Sequence, residues 1–590
     1  MMTPESLDTL PDGTQITADV VIVGGGACGL TLARTLGTRG FDVVVLESGG
    51  VDPDPAHEAL NRVEIEDDDM GDAARLYRAA HHGTLARDWD PEAQPYGLRL
   101  RGLGGATQAW AGKSAPFDPV DYAPRDWVPL SGWPVDADTL APFVTRAEAL
   151  LCLGPAHYGP DLWPVLGRDA PRKMPDPAAF RSMFWQFARS SRNPSEIMRF
   201  GADFLADPPP NVRLIVNATV TKLALAHNAR TVERVEVASL TGRRASLTAR
   251  AVVLAASAIE NPRLLLQSND VAPAGVGNDH DQVGRHLMDH PTAPVARFDA
   301  RAAGQMAARF GFFSHRAGGM AHLYQHGLAL TEDHQRREKL LNGAIFMTEE
   351  RAPDDPFAAI SRLLKGRSRS VSADLVTAAK SPLRIAQGSA VKLLDSGRLP
   401  QAISRPIVET AIRLFPNTVA TQVRYGRLPH KFTGLRVEAI SEQPPDPANR
   451  VTLGPARDAL GMPVPVVRWQ AGEAARRNLL AMGELVSASF AKAGLEAPEP
   501  VDWVAARDPA SARVIDMGHS LGTTRMAASP AQGVVDAECQ VFGVEGLFVA
   551  GGSVLPTSGH ANPTLMMLAL ALRLGDHIGD RLASGRLPGP

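Results

Sequence analysis

The strongest hydrophobic order lies at the two ends of the chain. Near the start, the apolar β-branched run VVIV at 20–23 is followed by three glycines, apolar positions at helical spacing through LTLARTLGTRG, and a second run, VVVL, at 43–46. That order predicts strand, helix, strand. Near the end, PTLMMLALALRLGDHI, opening at Pro563, predicts a mostly buried helix. Between them, NVRLIVNATVTKLAL, RVEVASL and ARAVVLAASAIENPR alternate β-rich runs with turns across 211–262. They predict a small antiparallel sheet returning to a buried strand at 251–256. SGWPVDADTLAPFVTRAEALL predicts a helix carrying Glu148, capped by Asp136 or Asp138.

The glycines at the first strand-to-helix turn form Gly24-x-Gly26-x-x-Gly29, and the second strand closes on Glu47. In a dinucleotide site the first glycine allows the tight turn, the second admits a pyrophosphate to the backbone, and the third lets helix and strand pack closely. The phosphates then meet free N–H groups at the positive helix end. Glu47 would bind ribose hydroxyls and disfavour the extra phosphate of NADP. This fingerprint occurs once, with no second copy for NAD. A later loop, RGLGGATQAWAG, brings Gly102, Gly104, Gly105 and Gly112 together, either as a surface turn or as backbone pressed against a flat ligand.

The chain has 590 residues, enough for two or more lobes, and its 44% hydrophobic content is that of a globular protein. A net charge of −3 argues against general nucleic-acid binding. Cys28, Cys152 and Cys539 are widely spaced and form no metal or haem motif, so they read as small buried residues and no metal site is expected. The first residues lack the basic and apolar regions of a signal peptide, and no apolar run reaches about 18 residues, so a cytoplasmic location is expected. One segment departs from this even composition. Between 361 and 414, Arg362, Lys365, Arg367, Arg369, Lys380, Arg384, Lys392, Arg398, Arg405 and Arg413 face only Asp374, Asp395 and Glu409. Such a stretch is the solvated face of helices, or it meets an anionic membrane or acidic partner. Pro382, Pro400 and Pro406 divide it into short pieces.

Candidate chemistry concentrates at 519–562, where HSLGTTRM and SGHANPT place His519, His560 and Asn562 beside glycine turns. Histidine is the side chain best suited to accept a proton near neutral pH. His286 and His290, in VGRHLMDHP, lie in a connector and read as residues holding the lobes together.

With these blocks in this order, the chain resembles the glucose–methanol–choline (GMC) oxidoreductases, and is most similar to the branch of pyranose oxidases and sugar or polyol dehydrogenase large subunits. The blocks are GGGACG with Glu47, RGLGGATQAWAG, GWPVDADTL, VVLAASAIENPRLLL, VGRHLMDHP, HSLGTTRM and SGHANPT. The resemblance implies an α/β fold: a doubly wound, Rossmann-like FAD-binding domain with a discontinuous α+β substrate-binding domain on an antiparallel sheet. The first would span 15–125, 205–295 and 505–590; the second 126–204 and 296–504, including a basic helical insertion at about 361–414.

Carried over by motif, the FAD-binding residues would be Gly24, Gly26, Ala27, Cys28, Gly29, Glu47, Ser48, Arg101, Gly104, Gly105, Ala106, Trp110, Ala111, Gly112, Val220, Ala256, Ser257, Gly552, Asn562, Pro563 and Thr564. The implied reaction oxidises an alcohol, of a sugar, glycoside or polyol, to a carbonyl. His519 takes the hydroxyl proton and hydride passes to flavin N5; Asn562 donates to the substrate oxygen, and His560 is a structural or catalytic neighbour. Electrons then pass to oxygen or an external acceptor. Ala109 stands where pyranose oxidases carry the histidine that attaches FAD, so non-covalent FAD is expected. Thr524 replaces a second histidine of some relatives, Ser257 replaces a common glycine, and 301–428 finds no match. The alternatives are a lyase or light-driven decarboxylase, an enzyme for aliphatic or aromatic alcohols, or a subunit docked on a membrane or carrier through its basic segment. Oligomeric state is left open.

Overall fold

The computed structural model describes residues 2–86, 89–193, 196–364, 368, 370–395, 400–424 and 430–587. The first apolar run becomes the strand Thr14–Val23, the glycine turn opens the helix Ala27–Thr38, and the second run is the strand Val43–Leu46. These strands pair in parallel, and the order across the sheet runs Glu5–Ser6, Val212–Val216, Val43–Leu46, Thr14–Val23, Arg244–Leu254. Arg244–Leu254 serves two neighbours. Its start pairs antiparallel with Val232–Ala238, and its end pairs parallel with Leu547–Val549. The antiparallel meander read at 211–262 is therefore Thr219–Leu225, Val232–Ala238 and Arg244–Leu254. Val212–Val216 belongs instead to the parallel sheet, a choice of neighbour that an apolar run does not encode.

A second, antiparallel sheet has the order Glu499–Pro500, Thr292–Phe298, Phe432–Ser441, Gly343–Arg351, Met320–Leu330, Phe180–Phe187, Lys113–Ser114, with Phe312–Ala317 beside Met320–Leu330. One large apolar cluster joins the first sheet to Met183, Trp185, Ala344 and Phe346 of the second, and another packs Leu328, Ile345 and Val437 of the second sheet against its covering helices. Membership cuts across the limits drawn from sequence. Lys113–Ser114 pairs with the second sheet although 15–125 was assigned to the first lobe, and Thr292–Phe298 crosses the line at 295. The helix Ala137–Leu150, which Asp136 caps through Thr139 N at 2.7 Å, packs on the C-terminal helix Thr564–Ala583 rather than on the second sheet.

The basic insertion is helical: Pro356–Leu364, Val371–Ala379, Pro382–Asp395, Gln401–Leu414 and Pro416–Arg424. Pro382 opens one helix and Pro400 precedes another, as prolines should. Pro406 does not break Gln401–Leu414 but sits inside it. Lys365, Arg367, Arg369 and Arg398 lie outside the described residues, as do the side chains of Lys392 and Asp395.

The loop after the short helix Pro119–Tyr122 is tied to the end of the strand Phe432–Ser441 by a fully buried ion pair. Arg125 donates through Nη1 and Nη2 to Glu442 at 2.7 and 2.5 Å, and Asn342 N donates to the same carboxylate at 3.0 Å. Removing one member leaves the other charged and without water. Arg125→Met is expected to lower unfolding free energy by about 3–5 kcal/mol, read from urea denaturation. A change within about 0.5 kcal/mol would show that this pair carries none of the tie.

Candidate active site

A cavity of about 1030 Å³ lies between the two sheets. Its floor is the glycine turn. Gly24 has φ +107°, and a Cβ there would meet the Ala255 carbonyl oxygen at 2.6 Å. A Cβ on Gly29 would meet the Gly24 carbonyl oxygen at 2.0 Å, while one on Gly26 would meet nothing within 4 Å. The first and third glycines thus serve the turn and its packing, and the second faces open space at an uncapped helix N-terminus.

The second glycine loop is no surface turn. Gly104 N donates to the Gly25 carbonyl at 2.8 Å, and Gly26 and Gly104 form a bridge, so the two loops make one wall. Glu47 is buried and accepts from Gly25 N at 2.8 Å and Gly49 N at 2.9 Å; burial, ahead of those bonds, raises its carboxyl above the usual range. Arg101 donates to Ser48 Oγ at 2.8 Å and pairs with Glu260. Burial works against the Glu260 carboxylate, yet Arg101, Arg263 and Arg99 hold it well below the ordinary value.

Every residue assigned to the cofactor except Gly29 lines this cavity, and Gly29 acts one layer below it. Ser257 takes φ +89°, a region that favours glycine, so its backbone is strained. Arg99 and Glu260 also line the cavity and were not singled out in sequence, because an isolated Arg or Glu carries no motif. These features fit FAD: a glycine cradle that a Cβ would fill, a helix N-terminus, and a buried carboxylate.

Met288 and Leu521 form a single antiparallel bridge: Met288 N donates to the Leu521 carbonyl at 3.0 Å, and Leu521 N donates to the Met288 carbonyl at 2.9 Å. Two residues along each segment from that bridge, His290 and His519 come into contact. Their Nδ1 atoms are 2.9 Å apart; His290 Nε2 is 2.9 Å from the Ser558 carbonyl, and His519 Nε2 is 3.3 Å from Asn562 Nδ2.

The direction of each bond follows from its ends. A carbonyl only accepts, so His290 carries its proton on Nε2 and accepts on Nδ1. An amide nitrogen only donates, so His519 accepts on Nε2 and carries its proton on Nδ1. The chain runs Asn562 to His519 to His290 to Ser558 with every donor matched, provided both rings are neutral. They are. Burial lowers His290 to about 4, and burial, ahead of the nearby His290, His82 and Lys113, pushes His519 well below its ordinary value.

The loops carrying these rings are pinned by two buried acids. The amides of His290 and Met517 donate to Asp289 at 2.7 and 2.8 Å. Burial, then the neighbouring Asp516, raises Asp289 to about 8. Asp516 is the charged member: burial opposes its ionisation, but Arg78 and His82 keep it well below the carboxylate range.

His560 is not brought to this pair. It does not line the cavity; its Nε2 lies 3.0 Å from Met183 Sδ, and Nδ1 lies 3.7 Å from Asp118. A two-residue spacing from Asn562 suggests a shared side only in an extended strand, and here residues 560 and 561 lie in a bend. Burial lowers His560 to about 4. His286, at φ +60°, bonds Gln282 at 3.2 Å and does not line the cavity. His290, read in sequence as a lobe connector, is instead in direct contact with His519. Lys113, next to Gly112, projects over Trp185 and Phe346 at 3.9 and 4.0 Å and lines the cavity.

A doubly wound dinucleotide lobe, a second sheet over it and a neutral histidine between them define a flavin-dependent oxidoreductase. Comparison with known proteins narrows the class. Two profiles described as GMC oxidoreductase match residues 204–292 and 445–571, and an NAD(P)-binding Rossmann-like profile matches 22–51. The chain is 24% identical to the fructose dehydrogenase large subunit of Gluconobacter japonicus, over 97% of this chain and 99% of that one. It is 25% identical to 2-methyl-1,2-propanediol dehydrogenase of Mycolicibacterium austroafricanum, over 96% of each. It is also 25% identical to paromamine 6'-oxidase of Streptomyces fradiae, over 96% and 92%. Among solved structures, a fungal aryl-alcohol oxidase superposes with a TM-score of 0.54 at 16% identity, over 97% of this chain and 100% of that one. The chain belongs to the GMC oxidoreductase family and is an FAD-dependent oxidoreductase.

The hydrogen-bond chain makes a specific demand on His290. His290→Phe removes the acceptor for His519 Nδ1 and should slow flavin reduction by substrate about 10²-fold or more. His290→Asn, whose Oδ1 can take the place of Nδ1, should recover part of that loss. Equal rates in the two variants would show that the ring only fills space. In the unaltered protein, reduction should not fall as pH drops from about 8 to 6.5, because His519 stays unprotonated there; an acid limb at about 6.5 would contradict the depressed value.

Proposed function

We propose that the chain oxidises a secondary or primary hydroxyl of a sugar, glycoside or polyol, with His519 as base and Asn562 as the group holding the substrate oxygen. The observation that carries this reading is His519 Nε2, 3.3 Å from the Asn562 amide nitrogen and lining a cavity whose burial favours the free base. A hydroxyl placed there gives its proton to Nε2. Asn562 Nδ2 can then donate to the oxygen as negative charge develops on it. The positive charge left on His519 is shared through Nδ1 with His290 and faced by the ionised Asp516. When bound, FAD supplies the two-electron acceptor for the hydrogen on the carbinol carbon.

A hydroxyl-rich substrate is supported by the wall contributed by the second sheet, where Lys113, Arg189, Gln325, Glu349 and Arg436 line the cavity. The relatives that act on fructose, a propanediol and paromamine support the same class. The helix Thr564–Ala583 begins at the cavity, with Asn562, Pro563 and Thr564 in its lining, and places its positive end there. The electron acceptor is oxygen or an external carrier, and the expected location remains the cytoplasm. No described helix is long and apolar enough to cross a membrane, and no group of acids, histidines and cysteines able to hold a metal occurs among the described residues.

Anaerobic mixing of the FAD-loaded protein with sugars, glycosides, polyols and aromatic alcohols should show bleaching by a member of the first three groups. His519→Ala should lower that rate by about 10²–10⁴-fold with flavin content unchanged, and denaturation should release free FAD. Bleaching at the normal rate in His519→Ala would remove the base assignment; reduction by aromatic alcohols alone would overturn the substrate class.

A further inference from the structure

Of the twelve large hydrophobic side chains exposed among the described residues, nine lie between Leu364 and Phe415. They are ordered. Val371 and Leu375 are one turn apart on the helix Val371–Ala379, with Val376 alongside; on Gln401–Leu414, Ile403, Ile407 and Leu414 recur at spacings of four and seven. Ile412, half a turn round from that stripe, is fully buried. Leu383 and Phe415, 73% and 62% exposed, belong to the same set of helices. A soluble surface scatters such residues singly rather than gathering them.

Among the described side chains of these helices, the exposed charge has one sign. Lys380, Arg405 and Arg413 are exposed, whereas Asp374 is buried against Arg362 and Glu409 is turned inward to the Ala321 amide at 2.7 Å. Exposed aliphatic and aromatic side chains beside exposed cations match an anionic lipid surface, which takes the first into its acyl boundary and the second at its headgroups. A nucleic acid would not cover the apolar stripe. A second copy placed symmetrically would oppose cation to cation.

We propose that the helices Val371–Ala379, Pro382–Asp395 and Gln401–Leu414 dock the protein peripherally on an anionic bilayer. The reading is independent of which alcohol is oxidised. It also orients the cavity. Ile407, Val408, Ala411, Ile412, Val419 and Ala420 line the cavity wall, and Ile407 is exposed as well, so the mouth opens beside the docking face.

The test is co-sedimentation of the FAD-loaded protein with phosphatidylcholine vesicles, with and without about one-third phosphatidylglycerol. Binding should require the anionic lipid and weaken about tenfold or more in high salt. It should be lost in the triple variant Leu375→Ser, Leu383→Ser, Phe415→Ser and in the double variant Lys380→Glu, Arg405→Glu. Neither set lines the cavity, so flavin content and reduction by a water-soluble alcohol should stay unchanged in both. Failure of the unaltered protein to bind anionic vesicles would overturn the proposal, as would binding that survives both variants. So would a lipid-free dimer that the serine variant converts to monomer, because a second copy would then cover the face.

Discussion

The constraint on which the site depends is the junction between the connector at 288–290 and the loop at 517–521. Two reciprocal backbone bonds between Met288 and Leu521 join them at one bridge, and His290 and His519, two residues along each segment, meet beside it. Asp289 holds the same junction, its carboxyl accepting His290 N from its own segment and Met517 N from the other. With the segments so fixed, donor and acceptor identities along Asn562, His519, His290 and Ser558 follow from chemistry alone.

Burial sets the protonation state that this arrangement needs. A neutral ring is cheaper than a charged one in a closed cavity, so desolvation alone favours the free base on His519. The same effect raises Asp289, and the charge that survives, on Asp516, does so because Arg78 and His82 touch it. The two acids have separate tasks. Asp289 organises backbone, and Asp516 supplies the negative field that a protonated His519 would meet.

The dinucleotide half was readable because its glycines are required by geometry that any side chain would violate. At Gly24 and Gly29 the space for a Cβ is already filled by backbone oxygen. His519 and Asn562 were found by motif, and the structure sets them 3.3 Å apart. Other features depend on pairing that no local pattern carries. Val212–Val216 is as apolar as a meander strand, and nothing in it names the parallel partner. His290 looked like a connector because its role exists only across 229 residues of sequence. His560 looked equal to Asn562 because spacing says nothing of the bend at 560–561.

Chemistry and recognition are carried by different elements. His519, His290 and Asn562 hang from loops that the dinucleotide lobe and its connector hold rigid, whereas the facing wall comes from the second sheet and the helical insertion. The insertion touches the cavity through one side of Gln401–Leu414 and through Val419 and Ala420, and Gln401–Leu414 shows solvent its other side. Changes in those helices can therefore alter what enters without disturbing the proton acceptor, since no residue of the hydrogen-bond chain from Asn562 to Ser558 lies in them. A fold built this way can keep one reaction while its entrance differs, and the stretch at 301–428, which lies between the two GMC oxidoreductase matches, lines much of that entrance.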